Sequence, residues 1–167
     1  EDFLSFGKLS EGRIEPKKES VNLRLIVEEI VEEMIALLKK GQHFVVNCTG
    51  DCKAITDKKL FRNILINLVS NAIKFSGEGE PVTISGERKG DKVIMAVADK
   101  GIGISDEDQQ HLFSSFFRGA NATNIQGTGL GLHIVKRYID LLEGELQLQS
   151  ELNKGTIITF SIPVNPT

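Results

Sequence analysis

The sequence predicts an α+β fold, a two-layer α/β sandwich in which helices cover one face of a mixed, mostly antiparallel sheet. Along the chain, segments with the apolar spacing of amphipathic helices are interspersed with short segments in which apolar and polar residues alternate, as in strands. Some of these strand-like segments flank hairpin turns. The chain has 167 residues, of which 40% are hydrophobic, as expected for one globular domain. A domain of this size buries roughly 70% of its unfolded surface, so it needs no disulfide or structural metal.

The first elements are a helix end, a strand and a long helix. Residues 1–12 have helical apolar spacing and stop at a glycine, and residues 13–21 are compatible with a strand. Asn22 is placed to cap an amphipathic helix that carries four glutamates on its polar side. The apolar side of this helix consists of Leu23, Ile26, Val27, Ile30, Val31, Met34 and Leu38.

Two short strands and a second long helix follow. The alternation predicts strands near residues 44–47 and 53–56. Asp57 is placed to cap a helix that runs to about Phe75.

The second half of the chain begins with a hairpin. Predicted strands at residues 82–88 and 93–98 flank Gly90-Asp91, a pair typical of two-residue hairpin turns. Residues 99–131 are rich in glycine and polar residues, with only a short helix indicated after Ser105. A loop of this length inside one domain is usually functional.

The chain ends in a helix and two strands. The helix is predicted at about residues 128–142 and is terminated by Gly144. Strands at residues 145–150 and 156–163 are joined by a turn at residues 153–155.

Charge and composition exclude several classes of protein. The chain has 20 basic and 23 acidic residues, a net charge of −3, which argues against a nucleic-acid partner. It contains no run of 18 apolar residues and no signal-peptide pattern, so we expect these residues neither to span nor to cross a membrane. Cys48 and Cys52 are interpreted as reduced thiols in or beside a strand, which suits the cytoplasm, because a zinc site normally needs four ligands at closer spacing.

The second long helix carries a polar stripe beside its apolar one. At about 100° per residue, four polar side chains fall within roughly 80° of one another. They are Asn63, Asn67, Asn71 and Lys74. A solvated helix face would more often use Glu, Lys or Gln, since Asn is a poor helix former. Amide oxygens suit Mg²⁺ and an ammonium group suits phosphate, so the stripe is either a solvated face or a site for both.

Two glycine motifs and an aromatic loop complete the candidate site. Asp99-Lys100-Gly101-Ile102-Gly103 follows a strand, where it is either a turn or a carboxylate that accepts from an exocyclic amine beside a flat ring. A second motif runs into a helix and can hold phosphate on free backbone N–H groups; it comprises Gly127, Thr128, Gly129, Leu130 and Gly131. Three phenylalanines and Arg118 lie between the two motifs.

Taken in order, these segments resemble the catalytic and ATP-binding domain of a sensor histidine kinase, a branch of the Bergerat-fold family. Residues 67–76 match its N box, residues 99–103 the G1 box, residues 113–118 the F box and residues 127–132 the G2 box. The ending at residues 155–163 fits the closing strand of the family. The likeness covers about residues 20 to 163.

The resemblance implies ATP and Mg²⁺ as ligands and assigns a role to each motif. Asp99 would accept from the adenine amino group, Gly101 and Gly103 would line the base, and Asn71 would bind Mg²⁺. The phosphates would meet Asn67, Lys74, Arg118 and the backbone of Gly127, Thr128, Gly129, Leu130 and Gly131. Residues from about 104 to 126 would form an ATP lid. Lys100 replaces an asparagine that is common in the family, and its contact with phosphate or solvent stays open.

The resemblance also favours phosphotransfer over hydrolysis. Relatives that hydrolyse ATP carry a glutamate as general base where this chain has Asn67, and an amide has no useful basicity. None of His43, His111 and His133 is followed by the Asp or Glu of a kinase acceptor, so we expect each to be structural. The alternatives are a non-catalytic nucleotide-sensing module and a Bergerat regulator of the anti-sigma serine-kinase type.

The resemblance implies an organisation and partners. Residues 1–19 would be the remnant of a dimerisation helix and its linker, and residues 20–167 the catalytic domain. The partners would be the dimerisation and histidine phosphotransfer domain of the same protein, which these residues do not contain, and a response regulator downstream. We expect these residues to be monomeric and the parent protein to be a homodimer, and the sequence leaves open whether the parent is anchored in a membrane.

Overall fold

The computed structural model describes residues 15–109 and 129–165. Its elements in chain order are β1 (Glu19–Asn22), α1 (Leu23–Met34), a 3₁₀ turn (Ile35–Leu37), β2 (His43–Thr49), β3 (Lys53–Thr56), α2 (Lys58–Phe75), β4 (Pro81–Lys89), β5 (Lys92–Asp99), α3 (Asp106–Gln109), α4 (Gly129–Leu141), β6 (Glu145–Glu151) and β7 (Gly155–Pro163).

A five-stranded sheet forms one layer, with strand order β2-β4-β5-β7-β6, so β5 lies at its centre. The β2–β4 pair is parallel and the other three pairs are antiparallel. Alternate residues of β4, β5 and β7 are buried, and they share one hydrophobic core with the apolar faces of α1, α2 and α4. The predicted fold class, an α+β sandwich with helices on one face of a mixed sheet, is confirmed.

Both long helices begin where the sequence predicts. The Asn22 side chain accepts a hydrogen bond from the backbone N–H of Arg24 (3.1 Å), and Asp57 Oδ1 accepts one from Leu60 (3.0 Å). Each cap satisfies an N–H group that the helix itself leaves without a partner. The apolar face predicted for the first helix is buried against the core, with Val31 partly buried, but the helix is shorter than predicted: it ends at Met34, and Leu38 lies in extended backbone beyond the 3₁₀ turn, partly buried against the same core.

The strand predicted at residues 13–21 is shorter than expected and shifted towards the helix. Within the described residues it comprises only Glu19–Asn22, because its antiparallel partner β3 is four residues long. These two strands form a small separate sheet that the sequence did not predict. The helix end predicted at residues 1–12 lies outside the described residues.

The hairpin and the cysteines agree with the sequence analysis. Gly90-Asp91 joins β4 to β5, and Gly90 has the left-handed φ of 63° that a tight hairpin turn requires. Cys48 lies in β2 and Cys52 directly precedes β3, and both are free thiols. Burial raises the pKa of each thiol. In the described part of the chain, the helices are too short or too polar to span a bilayer.

Candidate nucleotide-binding site

Helix α2 presents the polar stripe beside its buried face. Asn63, Asn67 and Asn71 are half-buried, and Lys74 in the last turn is exposed. Among the residues that the structure describes, no hydrogen bond engages the three carboxamides. Their oxygen atoms are therefore free to bind a ligand.

Asp99 is the last residue of the central strand β5. Its Oδ1 accepts a hydrogen bond from the backbone N–H of Gly101 (2.8 Å). Burial raises the pKa of the carboxyl group to about 6, although the backbone N–H groups of Gly101 and Thr156 partly oppose that shift. The carboxylate is thus ionised at neutral pH but poorly solvated, which favours an N–H donor as its partner.

The loop after Asp99 is attached to the end of α2. The backbone N–H of Ile102 donates to the carbonyl oxygen of Phe75, the last residue of the helix (3.2 Å). A Cβ atom added at Gly101 would overlap that carbonyl group. This attachment brings the helix of Asn67, Asn71 and Lys74 to the strand end of Asp99.

On its other side the loop packs against the β6–β7 hairpin. Gly103 has a φ of 70°, and a Cβ atom there would overlap the carbonyl oxygen of Glu151. The N–H of Ile104 donates to Ser150 Oγ (2.8 Å), which also lies 2.8 Å from Thr156 Oγ1. The glycines therefore allow the close approach of the protein's own backbone.

Two open cavities adjoin the loop. One, of about 550 Å³, includes Lys74, Phe75, Gly101 and Ile102 in its lining. The other, of about 430 Å³, is lined by Asp99, Thr156 and neighbouring residues of the five-stranded sheet. Lys100 is exposed and lines both cavities.

The glycine-rich helix start is described only in part. Gly129, Leu130 and Gly131 form the first turn of α4, which packs against α2. Gly127, Thr128 and Arg118 lie outside the described residues, as do the aromatic loop and His111. His43 is exposed on β2 and His133 is half-buried on α4.

Residues 56–166 match the family of histidine kinase-, DNA gyrase B- and HSP90-like ATPases. The chain belongs to this ATPase family. The match includes the polar stripe of α2, Asp99 and its loop, and the glycine-rich start of α4. The identification as a catalytic and ATP-binding domain of the sensor histidine kinase type is confirmed.

Within the family, similar proteins are sensor kinases. The sensor-like histidine kinase SenX3 of Mycolicibacterium smegmatis is 33% identical over 171 residues, which cover 99% of this chain and 44% of SenX3. The chain thus spans less than half the length of this curated relative. The full-length histidine kinase ShkA in complex with AMPPNP is 27% identical with a TM-score of 0.84, over 97% of this chain and 34% of ShkA. The histidine kinase ThkA, in complex with the response regulator protein TrrA, is 26% identical with a TM-score of 0.74, over 97% of this chain and 47% of that one.

Sequence reasoning missed several residues that shape this part of the ATPase domain. The carbonyl group of Phe75 and the side chains of Ser150 and Thr156 hold the loop after Asp99. No local pattern marks Ser150. Thr156 follows Gly155, whose left-handed φ of 123° and close approach to Asp99 are a signal only after the strands have been paired.

Proposed function

We propose that this domain binds Mg²⁺-ATP and transfers the γ-phosphoryl group to a histidine on the dimerisation domain of a two-component sensor kinase. The hydrogen bond between Ile102 N–H and Phe75 O carries this proposal, since it joins the two elements that bear the polar residues. The open amides of α2 and the half-buried carboxylate of Asp99 supply complementary chemistry within one site.

The carboxylate of Asp99 is proposed to recognise adenine. Its poor solvation favours the exocyclic amino group as a donor, with Gly101 and Gly103 lining the base. A guanine base would present a carbonyl oxygen to the carboxylate, so GTP should bind much more weakly than ATP. The nearby Thr156, which is buried, contributes a backbone N–H to this carboxylate.

The triphosphate is proposed to lie along the polar stripe. Asn71 would hold Mg²⁺ through its amide oxygen, a ligand type that suits this cation, and its carboxamide is free for the purpose. When bound, the cation neutralises charge on the phosphate oxygens. Asn67, Lys74 and Arg118 would contact the phosphates, together with backbone N–H groups of residues 127–131.

The presence of an asparagine at position 67 favours phosphoryl transfer over ATP hydrolysis. Its amide cannot take a proton from water at neutral pH, so this chain offers no general base at that position. We place the base on the helix that carries the acceptor histidine. The catalytic domain then contributes positioning and charge neutralisation through Asn67, Lys74 and Arg118.

We further propose that residues 20–167 form the catalytic domain and residues 1–19 the end of a dimerisation helix with its linker. In this arrangement the domain works in the cytoplasm, as a monomer by itself and within a homodimer in the parent protein. A response regulator would then take the phosphoryl group from the histidine; the structure of the similar histidine kinase ThkA in complex with the response regulator protein TrrA supports this part of the proposal.

Phosphotransfer to a separately supplied dimerisation domain tests the proposal. Incubation of the chain, that domain and γ-labelled ATP with Mg²⁺ should label the domain, and acid should release the label, as expected of a phosphoramidate. Replacing the acceptor histidine by alanine is the control for the acceptor. Asn71→Ala in this chain should reduce labelling at least tenfold and weaken Mg²⁺-ATP far more than metal-free ATP.

Other outcomes would identify the alternatives. ATP binding without any transfer would indicate a nucleotide-sensing module, and an acid-stable label on a serine would indicate a regulator of the anti-sigma type. Rapid hydrolysis by the chain alone would contradict the role given to Asn67.

A further inference from the structure

The C-terminal end of α2 is capped by groups from distant parts of the chain. The carbonyl groups of residues 73–76 lie beyond the reach of the helix's own N–H donors. Gln42 Nε2 donates to the oxygens of Ile73 and Ser76 (both 3.2 Å), and Lys39 Nζ donates to those of Lys74 (2.9 Å) and Ser76 (2.7 Å). The loop after Asp99 donates to the remaining one, Phe75.

Gln42 is the buried centre of this cap. It is only 6% exposed, and its Oε1 accepts a hydrogen bond from the backbone N–H of Lys39 (2.6 Å). Its Nε2 also meets Ser76 Oγ (3.0 Å), which in turn donates to the carbonyl oxygen of Ala72 (2.6 Å). A buried amide with both ends occupied holds its partners in one arrangement, because losing either end leaves buried polar groups without partners.

The capped turn carries two groups that the proposed function needs. Lys74 extends from this turn, and Phe75 O binds the N–H of Ile102 in the loop that follows Asp99. Any loosening of the turn therefore moves Lys74 and this loop relative to each other. Lys39 and Gln42 lie in the segment between the 3₁₀ turn and β2. Their hydrogen bonds to the last turn of α2 oppose that movement.

We infer that Lys39 and Gln42 are positioning residues for ATP: they hold the last turn of α2 so that Lys74 and the loop after Asp99 face one nucleotide together. This inference rests on the proposed function of the site. If Lys39 and Gln42 had a purely structural role, loss of the cap would lower stability and leave ATP affinity intact; in a positioning role, it also lowers ATP affinity.

The other end of the same helix offers a matched control. Asp57 caps the N terminus of α2, where its Oδ1 accepts from Leu60 (3.0 Å) and its Oδ2 accepts from the backbone N–H of Lys17 (2.7 Å). Asp57→Ala removes two hydrogen bonds at the other end of the helix from Lys74, as many as Lys39→Met removes. It should lower the urea midpoint and change ATP affinity less than twofold.

The test measures ATP affinity by calorimetry and amide exchange by NMR on the 167-residue chain. Gln42→Met keeps the side-chain volume and removes the hydrogen bonds; we expect ATP to bind about tenfold more weakly. Lys39→Met should weaken binding about threefold. In both variants the Ile102 N–H should exchange faster, whereas the Val164 N–H, bonded to Asp91 O at the opposite end of β5 (2.8 Å), should keep its protection.

The outcomes separate the inference from the proposed function. Weaker ATP binding in both cap variants, but not in Asp57→Ala, supports positioning. Unchanged ATP affinity in the cap variants, or a loss that follows the urea midpoint across all three variants, overturns it. Failure of the unmutated chain to bind ATP would instead overturn the proposed function, with Ile102 exchange still reporting on the cap. If Gln42→Met does not fold, Lys39→Met decides: Lys39 is exposed and itself lines the cavity beside Lys74, so weaker ATP binding supports positioning only together with faster exchange of the Ile102 N–H, and weaker binding without that change overturns it.

Discussion

The two ends of β5 combine the same two residue types in opposite surroundings. At its start, Gly90-Asp91 forms an exposed hairpin, and a Cβ atom at Gly90 would meet open space. At its end, Asp99 is half-buried with its pKa raised to about 6, and a Cβ atom at Gly101 would overlap the end of α2. The strand is therefore structural at one end and chemically specialised at the other.

The comparison separates two reasons for using glycine. Gly90 is required for its backbone conformation, since its φ is 63°. Gly101 has no left-handed φ and is required for the space that a side chain would take from Phe75. The sequence motif alone does not show which of the two reasons applies to a given glycine, whereas the effect of a substitution does.

Gly101→Ala should have the largest effect of any change at either end. The added methyl group must displace backbone, so we expect a loss of about 3 kcal/mol in the free energy of unfolding and no measurable ATP binding. Gly90→Ala should cost about 1 kcal/mol through its left-handed backbone and leave ATP affinity intact. Urea unfolding and calorimetry measure both quantities. Gly77→Ala is the control, because its Cβ atom would meet no atom within 4 Å, and ATP binding by Gly101→Ala equal to that of this control would contradict the close packing.

Asp99→Asn should reduce ATP affinity about ten- to hundredfold. The amide replaces an acceptor with a group that also donates, and one mismatched polar contact in a buried site costs about 1 to 3 kcal/mol. Asp91→Asn at the exposed end of β5 should change affinity less than twofold. Equal affinities of the two variants, measured by calorimetry, would remove Asp99 from the adenine site.

The pH dependence of binding sharpens the same contrast. Because the pKa of Asp99 is about 6, the acceptor form is lost as the pH falls through that value. We expect ATP to bind about tenfold more weakly at pH 5 than at pH 7 or above through this group. Asp99→Asn cannot titrate at this position, so subtracting its profile isolates the effect from titration of the phosphates. Identical profiles for the two proteins would count against a buried acceptor.

The smallest expected effect is a gain in stability. A carboxyl group whose pKa is raised on folding is protonated more readily in the folded state, so its ionised form costs stability above pH 6. The free energy of unfolding of Asp99→Asn should therefore be about 1 kcal/mol higher than that of the unmutated chain at pH 7, after allowance for the partial solvation of the Asp99 carboxyl group. This advantage should shrink between pH 6 and pH 4 and vanish below. Urea unfolding of the unmutated chain and of Asp99→Asn across that range measures it, and a constant difference between the two proteins would contradict the raised pKa of Asp99.

Elements specified by neighbouring residues were predicted closely. Strand β3 matches its expected range, α2 begins after Asp57 and ends at Phe75, and the Gly90-Asp91 hairpin is present. In each case the signal and its structural partner lie within a few residues of each other. The strand predicted at residues 13–21 was too long because its extent depends on β3, more than thirty residues away along the chain.

Some features of the candidate site were likewise predictable from neighbouring residues, and others were not. The stripe of Asn67, Asn71 and Lys74 is visible in sequence because four- and three-residue steps share a helix face. The roles of Gln42 and Ser150 are not visible, since their hydrogen bonds span 31 and 46 residues. Nothing within a few positions of either residue distinguishes it from a surface polar residue.

By itself, the sequence determined most of the elements, the fold class and the family, because periodicity, capping residues and glycine motifs act over short stretches of chain. The tertiary structure alone decided how the end of α2, the loop after Asp99 and the β6–β7 hairpin meet. It also decided the raised pKa of Asp99, which depends on burial by distant residues. Burial and long-range hydrogen bonding depend on how segments pack together, and the order of residues along one segment does not encode that packing.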